Sequence, residues 1–253
     1  MKSWIRNAVI ILSLLTYSGS LRAESLVELE KNDLLSPFTK ENRAIFLTGA
    51  GLTILLAVFE DQISDPAQSV TIKRKPLGKW SALGDYSGQI IPNALYTIGM
   101  GAFGLLGKDE KSLKNAELMI RATTSAAIVS TALKGIVREP RPYDSSLKNS
   151  FPSGHSTTAF AFASVVGAEH GVYWGGAAYT LATLVAYSRM NDNRHLLHDV
   201  VGGATIGLSY GLSVARRMHS SDSEKTSSAS VSNFIVLPTE DVAGIAAAYS
   251  TTF

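Results

Sequence analysis

The chain has 253 residues, 45% of them hydrophobic and 17% charged, with a formal net charge of +2. It has no cysteine, which excludes disulfides and thiolate chemistry. The near-neutral charge, with no basic stripe interleaved with aromatics, argues against a nucleic-acid binder. A mean hydropathy of +0.13 is modest for a chain that crosses a bilayer many times.

The N-terminus, MKSWIRNAVIILSLLTYSGSLRAES, places Lys2 and Arg6 before an apolar run from Ala8 to Leu15, followed by small polar residues. This is the three-part pattern of a secretory signal over residues 1–23, cleaved after Ala23. The alternative is an uncleaved N-terminal anchor, for which the run is short of the roughly 20 residues a span needs. Loss of residues 1–23 takes the formal charge from +2 to −1. Residues 24–43 form a polar segment with Pro37 as a breaker.

Six apolar blocks follow: Ala44–Phe59, Ile90–Leu106, Leu118–Val137, Thr157–Ala168, Val172–Tyr187 and Val200–Val214. They lack strand-like alternation, and their length predicts helices. Their many Gly, Ala, Ser and Thr residues allow close helix packing, in a membrane bundle or a tight soluble core. The spacer KRKPLGK (Lys73, Arg74, Lys75, Lys79) reads as a solvated loop, cytoplasmic if the blocks span a membrane. Residues 219–232 have the composition of a flexible Ser-rich linker. Residues 233–253 read as two strands around a turn at Thr239–Asp241. The expected fold is all-α: a bundle of about six helices over residues 44–218, with a small C-terminal β-hairpin.

Three stretches carry chemistry. Lys134 and Arg141 lie seven apart, with Pro140 and Pro142 stopping the helix. Pro152-Ser153-Gly154-His155 opens an apolar helix, whose free N–H groups and positive dipole end favour an anion. Ser153 can cap that helix or donate to the anion, and Gly154 permits close backbone approach. Ser188-Arg189, His195 and Asp199 complete the set. If a helix starts near Asn193, His195 and Asp199 share a face as i and i+4. Asp199 can then accept from His195 Nδ1–H and leave Nε2 free for attack. His198 has Gly202 at i+4 and no such partner, and reads as a helix-surface or wall residue. Three cations, a helix N-terminus and two histidines suit a tetrahedral dianion, because phosphoryl transfer needs positioning and charge stabilisation above all. Arg138 and Arg194 stay unassigned, and His170 and His219 read as structural or solvent-facing. Tyr143, Asp144 and Phe151 are placed at the substrate mouth.

The pattern K-x6-RP, PSGH, SR-x5-H-x3-D resembles the signature of the type 2 phosphatidic acid phosphatase and vanadium haloperoxidase superfamily. All eleven fixed positions, from Lys134 to Asp199, match in order, and the resemblance covers residues 118–216. It implies a helical bundle with the site at one end. Lys134, Arg141, Ser153, Gly154 and Arg189 would hold phosphate. His195 would attack phosphorus to form a phosphohistidine, and Asp199 would orient it. His155 would protonate the leaving oxygen and then activate water. No metal or other cofactor is implied for hydrolysis, and vanadate is expected to inhibit.

The expected function is a metal-independent phosphatase acting on a lipid such as a phosphatidate or polyprenyl diphosphate. A soluble periplasmic acid phosphatase taking small phosphate esters is the alternative. A vanadium haloperoxidase and a non-catalytic envelope protein rank behind it. A periplasm-facing, membrane-associated position in a bacterial-type envelope is expected. Signal cleavage, three full spans and an outward site cannot all hold together, since each span reverses the side of the membrane.

Overall fold

The computed structural model describes residues 26–230 and the strands 235–238 and 245–248. The expected signal segment, the end of the Ser-rich stretch and the turn at Thr239–Asp241 lie outside the described residues. In chain order the helices are α1 Leu26–Leu35, α2 Arg43–Val58, α3 Asp65–Arg74, α4 Ser81–Ser87, α5 Ile91–Gly107, α6 Glu110–Val137, α7 Gly154–Asn191 and α8 Leu197–Ser230. A π-helical turn, Glu60–Ser64, precedes α3. Strands β1, Ile235–Pro238, and β2, Ile245–Ala248, pair antiparallel with Ile235 opposite Ala248. They fall in a second compact unit, residues 216–253, separate from the unit of residues 1–215.

The apolar blocks all become helix, and their ends follow local chemistry. The Asp109 carboxylate caps α6 by accepting the Ser112 N–H at 3.1 Å. That helix stops at Arg138, which is left-handed (φ 53°), just before Pro140. Within α7, Gly171 takes φ 82° and ψ −175°, a conformation that favours glycine. The chain folds back there, so residues 154–170 and 172–191 run antiparallel. A Cβ on Gly175 would come within 2.7 Å of Gly167 Cα, and Tyr179 Oη donates to Ser164 Oγ at 3.1 Å. This reversal brings His155 and Arg189 to the same end of the bundle.

α8 packs on the first arm of α7 through a glycine stripe. A Cβ at Gly203 would lie 3.0 Å from that of Ser156, and one at Gly207 would lie 2.7 Å from the Ala161 nitrogen. The buried core at this junction joins Ala126, Ala161, Ile206 and Tyr210, with Leu34, Val129 and Leu133 packed against it. Small side chains dominate, so the helices are held by close contact and by hydrogen bonds as well as by apolar area.

The polar segment 24–43 is part of this packing. Asp33, fully buried, accepts from Arg121 Nε at 2.7 Å and Nη2 at 2.8 Å. Ser36 Oγ lies 2.7 Å from Ser213 Oγ, and Tyr210 Oη donates to the Leu34 carbonyl at 3.0 Å. The sequence expectation of a flexible linker from residue 219 is corrected: α8 stays helical through Ser230. Three short helices, α1, α3 and α4, also go beyond the expected six, and Lys73 and Arg74 close α3 instead of lying in a loop.

Among the described residues no single helix is long and apolar enough to cross a membrane, although two bent pairs, Val27–Phe38 with Arg43–Val58 and Gly78–Ser87 with Ile91–Gly107, pass together by length and composition. Leu47, Ile54, Leu95, Ile98, Phe103 and Leu106 are exposed on α2 and α5.

Loss of Asp33 would leave the buried Arg121 guanidinium with the half-exposed Glu117, 2.9 Å away, in place of a fully buried partner, and breaking a buried pair is costly. Asp33→Ala is therefore expected to destabilise the protein by about 3 kcal/mol, read as a lowered midpoint in urea unfolding followed by circular dichroism.

Candidate active site

The three motifs converge at one end of the bundle. α8 starts at Leu197, so His195 sits in the turn before it and not on the helix, which corrects the expected i,i+4 helical pair. Asn193 (φ 54°) makes the turn left-handed. The two residues meet nonetheless, with His195 Nδ1 3.4 Å from Asp199 Oδ2. Asp199 is the third residue of α8, and its Oδ2 accepts the Leu196 N–H at 2.8 Å. A carboxylate here satisfies an otherwise orphaned N-terminal donor, as in a capping box.

Ser150, fully buried, donates from Oγ to the same Asp199 oxygen at 2.6 Å, and its Oγ lies 3.4 Å from His195 Nδ1. The Ser153 N–H donates to the Asp199 carbonyl at 2.9 Å, which ties the second motif to the third. Ser153 caps α7, accepting from the Ser156 N–H at 3.4 Å. Gly154 and His155 follow in the first turn, next to the free N–H groups. The Phe151–Pro152 peptide leading into this turn is cis.

The cations surround this centre. Lys134 Nζ donates to the carbonyls of Asn149 (2.9 Å) and Ser150 (3.3 Å) and, in a short contact, Pro152. It thereby fixes the backbone that enters the helix. Burial, with Arg141 nearby, pushes its ammonium down to about 8. Arg141 Nε donates to Asn149 Oδ1 at 2.7 Å. Arg189, buried, pairs with Asp85 in a short contact and with Asp192 at 3.3 Å.

His155 is half-buried. Burial, followed by the charge of Arg189, lowers its pKa to about 4 against the opposing pull of Asp85. Its Nε2 has no hydrogen-bond partner. Asp85 Oδ1 lies 3.1 Å away but out of line with the ring N–H. Burial also lowers the pKa of His195, opposed by Asp199. Burial alone would raise Asp199, but its bonds to His195, Ser150 and Leu196 hold the carboxyl below its usual range.

His198 is 3% exposed, so the surface reading is corrected and the wall reading stands. It does have an orienting partner: Nε2 lies 2.7 Å from Glu139 Oε1, while Nδ1 faces Glu60 Oε2 at 3.8 Å. These three residues offer ligand atoms within 4.8 Å of one another and could hold a metal ion. An imidazolium between two carboxylates satisfies the same geometry. Burial opposes the charge on His198, but Glu139, Asp199 and Glu60 outweigh it and raise the pKa. No sequence spacing could reveal this cluster, because its members lie on three separate segments.

Tyr143 stands at the rim, with Arg194 Cζ 4.3 Å and Arg141 Cζ 5.9 Å from its ring centre. Asp144 instead turns onto Ser146 (2.6 Å to its Oγ). Phe151 packs inward, its ring centre 6.1 Å from that of His198. His170 bonds Tyr96 Oη at 2.7 Å, and His219 is exposed. Ser150 and Asp85 were missed in the sequence. Ser150 sits just before the PSGH motif and carried a positional hint. Asp85 carried none.

Residues 118–222, the segment that holds all three motifs, match the model of the PAP2 superfamily. Over 71 residues the chain is 41% identical to the lipid A 1-phosphatase of Porphyromonas gingivalis, a match covering 27% of this chain and 16% of that protein. The crystal structure of Aquifex aeolicus LpxE is similar with a TM-score of 0.49 and 21% identity, over 61% of this chain and 95% of that one.

Two histidines with lowered pKa values, His155 and His195, fix a sign for stability against pH. The unfolded state binds more protons than the native state between the ordinary histidine value and the folded one. For His155 that window runs from about 6.5 down to about 4. Unfolding midpoints are expected to fall as pH drops through this window, and His155→Gln is expected to flatten the slope in a series of thermal melts.

Proposed function

We propose that the protein is a phosphatase that hydrolyses a phosphate ester or diphosphate on a lipid, through a phosphohistidine on His195, with no metal or other cofactor. The observation that carries this reading is the ordered contact of Asp199 Oδ2 with Ser150 and His195, set beside the start of α7 and ringed by cations. The match to the PAP2 superfamily and to a lipid A 1-phosphatase supports the class of substrate.

In this reading Arg141, Arg189, Lys134, Ser153 and the Gly154 backbone hold the phosphoryl oxygens, bidentate contacts coming from the arginines. His195 Nε2 supplies the electron pair that forms the P–N bond. The P–O bond to the leaving group breaks, its electron pair stays on the leaving oxygen, and His155 delivers the proton. Water then attacks phosphorus, gives a proton to His155, and the P–N pair returns to His195. The exposed apolar side chains of α2 and α5 support a site that works against a lipid surface, and the secretory-signal pattern of residues 1–23 supports the cell envelope, facing the periplasm.

The test is phosphate release in EDTA from detergent-dispersed phosphatidate, undecaprenyl diphosphate and p-nitrophenyl phosphate. Lipid turnover is expected, lost in His195→Ala and inhibited competitively by vanadate. Release from the soluble ester alone would instead favour a periplasmic acid phosphatase. Ser150→Ala is expected to lower kcat about tenfold, since one hydrogen bond to the orienting carboxylate is lost and a supporting contact of this kind is worth on the order of 1 kcal/mol or somewhat more, with KM little changed.

A further inference from the structure

α4 lies outside the three motifs, yet it is built against them. Ser81 Oγ donates to Asp192 Oδ1 at 2.5 Å, which fixes the start of the helix. One turn on, a Cβ at Gly84 would collide with Ser188. Just past the helix end, a Cβ at Gly88 would lie 2.5 Å from Val185 and 2.8 Å from the His155 ring. The Gly88 carbonyl accepts from Thr158 Oγ1 at 2.6 Å. Between these fixed points stands Asp85. Its Oδ1 touches Arg189 and lies 3.1 Å from His155 Nε2.

We propose that Asp85 is a positioning residue that favours the protonated form of His155 as the proton donor to the leaving oxygen, a role that rests on the phosphatase reading above. The carboxylate is near enough to stabilise an imidazolium, and it lies out of line with the N–H, so the proton remains available. Its second contact aligns Arg189 beside the same nitrogen. The other charged groups facing His155 are Arg189 from the second arm of α7 and His195 from the turn before α8, and both oppose protonation. Asp85 is the one group among these that favours it. As the P–O bond breaks, its electron pair goes to the leaving oxygen and the Nε2 proton follows.

A nearby carboxylate raises the pKa of a histidine by about 1 or more. With Asp85→Asn the basic limb of the kcat/KM profile is expected to move to lower pH by about 1. At pH above that limb, kcat for an alkyl phosphate is expected to fall about tenfold, because the protonated fraction of His155 falls in proportion. p-Nitrophenyl phosphate, whose leaving group departs as a stable anion, is expected to lose less than about threefold. Asp85→Glu, which keeps the charge, is expected to restore most of the difference. Equal losses on both substrates, with an unmoved pH limb, would overturn the inference and leave Asp85 as packing only. NMR titration of the His155 imidazole in wild type and Asp85→Asn separates this from the parent reading. A displaced titration in a protein that releases no phosphate from any ester sinks the phosphatase and upholds the coupling. An unchanged titration in an active protein does the reverse.

Discussion

One carboxylate oxygen, Asp199 Oδ2, sets the geometry of the site. It closes the N-terminus of α8 by accepting the Leu196 N–H, takes the Ser150 hydroxyl, and faces His195 Nδ1. A helix start, a loop and a histidine therefore share one acceptor. Each contact would be weak alone at a wet surface, but Asp199 is fully buried, where a charge-assisted bond is short, strong and costly to leave unmade. The local rule that ends a helix and the chemical rule that orients an imidazole are satisfied by the same atom.

That arrangement depends on close packing behind it. The glycines of α8 let its backbone approach the start of α7, so that the Asp199 carbonyl reaches the Ser153 N–H. Lys134 holds the entering loop by its carbonyls from the other side. The site is thus fixed by backbone contacts on two sides. The electrostatic balance follows from the same burial. His155 and His195 are pushed toward neutrality by desolvation, while Asp199 and Asp85 pull the other way.

What the sequence made legible was periodic or local. Apolar blocks became helices, and the motif residues drew together because each sits at a helix end where proline, glycine or a cap fixes the chain. The pairing of His195 with Asp199 was readable, but its reason was not: the expected helix start near Asn193 is a left-handed turn, and the contact comes from helix capping and Ser150. α1 and α4 were hidden because they are short and polar or mixed, with their apolar residues spread too thin to register. Asp33 and Asp85 find partners far along the chain, in Arg121 and in His155 and Arg189, and no pattern within a local window encodes such pairings. His198 misled for the same reason, since Glu139 and Glu60 lie on other segments.

The reversal at Gly171 places Val172, Tyr173 and Trp174 at the far tip of the α7 hairpin, and these side chains are 80%, 90% and 67% exposed. An arm of this length carries the tip about 25 Å from His155. The exposed apolar tip and the three converging motifs thus stand at opposite ends of one helical hairpin. Side chains at the tip can therefore be exchanged without touching His155, Arg189 or the groups that hold them, so the two ends of the hairpin are free to answer to different constraints.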